Sequence, residues 1–434
     1  MAELAEKNVV EQPARGRISL ARRRYALGAL LVIYTLAFID RQILGILAVP
    51  IKAELLLTDT QLAMLGGLAF AIFYTTVSIP VAWLADRYHR GWIVTTALAT
   101  WSAFTVFCGF AASFGALFVG RIGVGIGEAG GTTPAVAMIA DYFPLSERSR
   151  ALAVYSFGIP VGSSLGVFLG GWIAHLANWR FAFWTVGLVG LLVVPLFKLT
   201  VPEPQRPLVT SKPPSLGVFL KIVKGKPSFW AICLGASSCS VVGYGFSFWL
   251  PSFFQRVHHI PIATTAIQYG SIILAGGILG EWIGGYLCDK YGPTHRGVYA
   301  AVPMVSMLIA AVLYVIGLFL PSNPFTIVYF LLPAIAYYST GGAVFVALHG
   351  IVPANARATV TSFLLFMNTI LGLGAGSLFF GVVSDRLHTR TGVESLRTAM
   401  VLALGFLIIG AGLYSVAVRY LKRDWHAGDA RAAD

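Results

Sequence analysis

Four ionisable residues stand where an apolar helix should have none. Asp40 and Arg41 are adjacent near the middle of the apolar run 25–50, and Arg121 and Glu128 are seven residues apart within the run 115–142. A charged side chain at bilayer depth costs between ~2.5 and ~10 kcal/mol unless it meets a partner or a watery cavity, so such residues mark ion and substrate paths. Seven residues are two helical turns, which puts Arg121 and Glu128 on one face. At 1.5 Å per residue, Asp40 lies ~22 Å from the start of its run and Glu128 ~20 Å from the end of its own, so the two share a depth. Two acids and two arginines there can hold an anionic group on Arg41 or Arg121 while a buried carboxylate takes or releases a proton. The plain alternative is a silent charge network that fixes one helix against another.

The elements that must position these residues are membrane helices. Hydrophobic residues make up 57% of the chain, charged residues 11%, and the mean hydropathy is +0.77, far from the balance of a soluble domain. The net charge of +13 is spread in short basic runs between apolar stretches rather than in an aromatic-interleaved patch, so it reads as membrane topology and not as nucleic-acid binding. Cys108, Cys233, Cys239 and Cys288 all lie in apolar runs without metal-ligand spacing, so no metal and no cofactor is expected. There is no His-Glu-x-x-His, Gly-x-Ser-x-Gly, Walker loop or Cys-x-x-Cys, hence no enzyme is expected and any transport must be driven by a gradient.

Twelve apolar runs follow one another, at 25–50, 61–85, 92–112, 115–142, 149–176, 179–197, 229–254, 264–288, 298–320, 325–352, 358–383 and 396–418, here spans 1 to 12. The expected organisation is a tail 1–24, a six-helix bundle 25–198, a linker 199–226, a second six-helix bundle 227–420 and a tail 421–434. The linker carries Pro202, Pro204, Pro207, Pro213 and Pro214 with several lysines, a helix-poor composition. Thr58-Asp59-Thr60-Gln61 is a capping box that opens span 2. Placing both termini and the linker in the cytoplasm puts most of the 31 Lys and Arg there. That predicts a multi-pass protein of the plasma (inner) membrane, with Arg386, Arg390 and Arg397 left on the outer side as exceptions.

The halves repeat in detail. Asp86-Arg87 after span 2 is matched by Asp289-Lys290 after span 8, an offset of 203 residues, and Pro144 with Arg148 is matched by Pro353 with Arg357, an offset of 209. Such repeats are the trace of a transporter whose substrate site lies at the midplane between halves. Asp86, Arg87, Arg148, Asp289 and Arg357 would then cluster at the cytoplasmic helix ends as gate residues that hold an outward-open state. Candidate cavity residues in spans 7, 10 and 11 are Tyr244, Phe246, Trp249, Tyr337, Tyr338, Phe363 and Phe366, more aromatic than a sugar site needs. Glu281 in span 8 has no evident partner, so a local hydrogen bond, a gate contact and a site role are all open, and His349 reads as a packing residue.

Gly125-x-Gly127-x-x-Gly130 matches a dinucleotide fingerprint in letters but lies inside an apolar span without a preceding strand. Spacing by four fits better: Gly123, Gly127 and Gly131; Gly158, Gly162, Gly166 and Gly170; Gly276, Gly280 and Gly284; Gly372 and Gly376. Each set makes a small-residue ridge along which helices approach closely.

These segments resemble the major facilitator superfamily over nearly the whole membrane region. Ala82-x-x-x-Asp86-Arg87-x-x-Arg90 is similar to its gating loop, although Ala82 and His89 stand where glycines are usual, and Gly285 to Arg296 is a closer copy. Arg121-x-x-x-Gly125-x-Gly127 resembles its span-4 motif, and Phe38-Ile39-Asp40-Arg41-Gln42 with Arg121 to Glu128 resembles the Spinster-like branch, which includes carriers of lysophospholipids and sphingosine phosphate. The resemblance implies an all-α membrane fold and proton-coupled alternating access. It assigns proton and headgroup roles to Asp40, Arg41, Arg121 and Glu128 and gate roles to Asp86 and Arg87. The partners implied are protons, membrane lipids and an amphipathic anionic lipid, carried by a monomer. The alternatives are a small organic anion, sugar or drug as substrate, and a non-transporting sensor or receptor.

Overall fold

The computed structural model describes residues 19–204, 216–323 and 326–426, and these form helices without a strand. Parts of both expected tails and of the linker (1–18, 427–434 and 205–215) lie outside the described residues. Ten helical stretches among the described residues are long and apolar enough to cross a bilayer. Two local features account for the difference from twelve runs. Span 4 is divided into Phe114–Glu128 and Thr132–Tyr142, so neither piece has full length. The stretch Arg357–Asp424 is one of the ten, but it folds back at Gly392, whose φ of 56° is one that glycine tolerates. Ser377–Thr391 thereby packs on Ser395–Ala403.

The helix starts are written in side chains. Ser19, Thr58, Ser113 and Asn178 each accept backbone N–H groups of the first turn, and Thr58 with Gln61 completes the expected capping box. Of the linker, Leu216–Val223 is helical and buries Phe219 against Phe229 and Phe363.

The same packing scheme appears in each half. Span 1 (Leu20–Ile46) lies on span 5 (Gly158–Leu176), and span 7 (Pro227–Arg256) lies on the middle of span 11 (Asn368–Gly376). Span 3 (Arg90–Gly109) lies on span 6 (Trp179–Thr200), as span 9 (Val298–Phe319) lies on span 12 (Gly405–Asp424). Span 2 (Asp59–Arg87) packs on span 4, as span 8 (Ile262–Tyr291) packs on span 10 (Thr326–Tyr338, continuing as Gly341–Ile351). The halves meet through spans 5 and 8, 2 and 11, and 1 and 7.

Glycine permits these approaches, because with so little apolar driving force between helices in lipid, close backbone contact supplies the attraction. A Cβ at Gly162 would fall 2.5 Å from the Thr35 carbonyl oxygen of span 1, and one at Gly284 would fall 1.9 Å from that of Ser339 in span 10. All four expected ridges lie on a neighbouring helix in this way. Large apolar side chains such as Leu192 and Leu199 point away from the bundle, where acyl chains would cover them.

The two ends of the molecule differ. At one end, here the linker end, Tyr25 donates to Thr200 at 2.7 Å, and Asp424 accepts the backbone N–H and hydroxyl of Ser228 at 3.0 and 2.8 Å. These bonds gather the start of span 1, the end of span 6, the start of span 7 and the end of span 12.

Candidate functional site

Asp40 and Arg41 sit on span 1 where it faces span 4, and their side chains diverge to two partners. Asp40 Oδ1 pairs with Arg121 Nη1 at 2.9 Å, and the Thr105 hydroxyl of span 3 donates to Oδ2. Both members of this pair are buried, each with a side chain only 1% exposed. Arg121 also reaches the Leu65 carbonyl of span 2 at 3.5 Å. Arg41 Nε pairs with Glu128 Oε2 at 2.6 Å. Two ion pairs, one buried and one partly buried, thus cross between spans 1 and 4, one helical position apart on span 1 and two turns apart on span 4. Leaving either charge alone would cost ~3–5 kcal/mol, so the four residues act as a unit.

The two pairs are not equivalent. The Arg41 side chain is 19% exposed, and its guanidinium stands 5.0, 4.9 and 4.9 Å from the ring centres of Phe38, Phe70 and Tyr74. Aromatic faces hold a cation without neutralising it. Glu128 Oε1 is buried without a hydrogen-bond partner. Together with Tyr34, Tyr155 and Thr132, Arg41 and Glu128 line a small cavity. Glu128 is also the last residue of the first piece of span 4, so the carboxylate sits at a helix break. Arg41 and Glu128 are the more accessible and less fully bonded pair, and Asp40 with Arg121 is the more enclosed one.

Of the expected cavity residues, Tyr337 and Tyr338 line cavities of the second half with Phe246, and Tyr244 is partly exposed beside Gly372 of span 11. Trp249 lines neither of these cavities. It is fully buried and donates its indole N–H to the Ser377 carbonyl at 3.0 Å, a packing contact of span 7 on span 11. Phe363 is likewise held in an aromatic cluster with Phe219, Phe229 and Trp230 near the linker, and Phe366 is exposed. Periodicity gave these three residues a helix but not the face each one occupies.

The expected gate residues lie at the linker end. Arg87 stacks on Trp83 at 3.8 Å, Arg148 donates to the Ala140 carbonyl at 2.6 Å, and Asp86, Arg87 and Asp289 are exposed. Arg357 is half-buried at the start of span 11. Nearby, Arg90 pairs with Asp141, and Glu203 accepts the backbone N–H groups of Arg90 and Gly91 at 2.8 and 2.7 Å.

The closure between halves is at the opposite end, on residues the sequence did not single out. Asp59, buried at the start of span 2, takes Arg256 of span 7 at 2.9 and 3.0 Å, Ser384 of span 11 at 2.7 Å, and Lys52. Asp385 of span 11 in turn accepts the backbone N–H groups of Asp59 and Thr60 at 3.0 and 2.8 Å and the Thr60 hydroxyl at 2.6 Å. Asp59 was legible only as part of a capping box, and its partners other than Lys52 lie across the repeat boundary.

Beside this closure, spans 2 and 11 each carry widened, π-type turns, at Met64–Leu68 and Asn368–Gly376. These turns touch one another, and such turns recur at functional sites. Phe70, Tyr74 and Thr105 were also missed, since an aromatic or a threonine inside an apolar run carries no signal of its own.

A family model for the Major Facilitator Superfamily matches residues 30–375. An MFS-type efflux pump of Mycolicibacterium smegmatis is 30% identical over 92% of this chain and 93% of its own. Protein spinster homolog 1 of Bos taurus is 28% identical over 74% of this chain and 66% of its own. Solved structures of a bacterial homolog to the human lysosomal transporter Spinster, inward-facing and either unoccupied or occupied, are 32% identical to it. They superpose with a TM-score of 0.85 over 94% of this chain and all of theirs.

Proposed function

This chain belongs to the Major Facilitator Superfamily as a Spinster-like membrane transporter, and from that premise we propose that it carries an amphipathic lipid with an anionic head, coupled to protons, by alternating access. The observation that carries the reading is the Arg41–Glu128 pair, an accessible cation on aromatic faces whose carboxylate partner has one oxygen unpartnered. While Glu128 is ionised it holds Arg41. Protonating Glu128 releases Arg41 for an anionic head, so the proton and the head bind together. Asp40 and Arg121 keep span 1 and span 4 in register meanwhile. The chain of the lipid would lie along Tyr244, Tyr337 and Tyr338. With the linker end in the cytoplasm, the contacts of Asp59, Arg256 and Asp385 would close the outer side of the transport path.

Binding of alkyl phosphates of graded length to the purified protein tests the reading. Affinity should rise with chain length, by up to ~0.8 kcal/mol per buried CH₂. Arg41→Ala should weaken the phosphate far more than a neutral-head analogue of the same chain. Indifference to chain length, or stabilisation by a short sugar or carboxylate and by no lipid, would overturn it. A drug-like amphiphile bound in preference to any lipid would favour instead the activity in the name of the mycobacterial relative.

A further inference from the structure

Glu281 stands outside the cluster just described. It projects from span 8 toward the break of span 10, where Thr326–Tyr338 ends and Gly341–Ile351 begins. Its carboxylate lies against that break, where a Cβ at residue 341 would fall 2.4 Å from Oε1. Glycine at 341 is what admits the carboxylate. The two breaks are repeat counterparts, since the offset of 209 residues between Pro144 and Pro353 carries Gly130, in the break of span 4, onto Ser339, in the break of span 10, but the second carboxylate reaches its break from span 8 instead of standing on the broken helix.

The halves then differ in charge. The carboxylate at the span 4 break is paired with Arg41, whereas Glu281 has no cationic partner among the described residues. It opens instead on a cavity of about 180 Å³ walled by Tyr337, Tyr338, Thr340, Asn368 and Tyr414. The rings of Tyr337 and Tyr338 meet at 84° with centres 5.5 Å apart, and the Tyr337 hydroxyl donates to the Cys239 carbonyl at 3.3 Å. An unpaired carboxylate beside perpendicular aromatic faces is the chemistry that recognises an ammonium group, quaternary ones included.

We propose that the cavity at Glu281 is a cation subsite of the second half, which takes the ammonium group of a transported amphiphile with Glu281 as counter-charge. The subsite stands apart from the anion reading at Arg41 and has the opposite sign. An amphiphile with both charges would span the two.

Calorimetric binding to the full chain in an uncharged detergent tests this with three probes of one chain length: decyltrimethylammonium, an uncharged decyl glycol ether and decyl phosphate. Glu281→Gln should weaken the ammonium probe about tenfold or more and the uncharged probe less than twofold, with decyl phosphate unchanged. Glu281→Asp, which keeps the charge and shortens the reach, should fall between. Equal weakening of all three probes by Glu281→Gln, or of none, overturns the subsite, as does a loss confined to pH-driven uptake, which would make Glu281 a proton site. If decyl phosphate fails to bind, or ignores Arg41→Ala, the anion reading fails while the ammonium comparison still decides this one.

Discussion

Arg41 and Glu128 form an ion pair of 2.6 Å in which one carboxylate oxygen holds the cation and the other, equally buried, holds nothing. A half-satisfied buried carboxylate is poorly committed to one protonation state, because the free oxygen can carry a proton without giving up an existing bond. Glu128→Gln should therefore leave Arg41 open to an anionic head at every pH and abolish proton-driven uptake into vesicles. Asp40→Asn, which breaks the enclosed pair with Arg121, should lose transport together with thermal stability. Wild-type pH dependence retained by both variants would refute the assignment.

Closure at the far end rests on Asp59. Its side chain is 2% exposed and meets two cations, Lys52 and Arg256, so Asp59→Ala leaves both charges unpaired and removes the Ser384 bond. Biased by several such contacts, a rocking equilibrium with a gap of a few kcal/mol shifts measurably. Cysteines placed at the far end should label faster in Asp59→Ala, and those at the linker end more slowly. Asp86→Ala, at the linker end, should act in the opposite direction. An unchanged labelling pattern in either variant removes that residue from the gate.

Gly284 is where spans 8 and 10 come closest, with a would-be Cβ 1.9 Å from the Ser339 carbonyl oxygen. Gly284→Ala must push the helices apart or distort the break at Ser339, an overpacking change of ~1–3 kcal/mol. A lowered melting temperature is expected, whereas Gly285→Ala, beside which nothing stands within 4 Å, should change it little. Equal effects of the two substitutions would show that the contact is not tight.

Trp249 and Tyr244 are both on span 7 but should respond differently. Trp249→Phe removes a buried N–H donor to Ser377 and some packing, so it should lower stability by ~1 kcal/mol or more and leave substrate preference alone. Tyr244→Ala, at a half-exposed position of the same span, should shift substrate affinity with little change in stability. A changed preference in Trp249→Phe would return that residue to the cavity wall.

Much of this was determined by the sequence itself. Apolar run length, spacing of glycines by four and the matched loops after spans 2 and 8 are local properties, and each follows from helix geometry and the cost of polar groups in hydrocarbon. The depth of Asp40 and Glu128 could be counted along two helices, so their meeting was legible. The partner of each was not. Whether Arg41 or Arg121 takes Asp40 depends on the rotation of two helices about their own axes, which the packing of glycine ridges sets and no periodicity encodes. The same limit hid the Asp59 closure, since Arg256 and the capping Asp385 come from spans 7 and 11, about 200 and 325 residues away. It also misplaced Trp249 and Phe363, whose aromatic character was visible but whose faces were not. The fold came from what each helix must bury in lipid; the site came from which faces met once twelve such runs had to pack against each other.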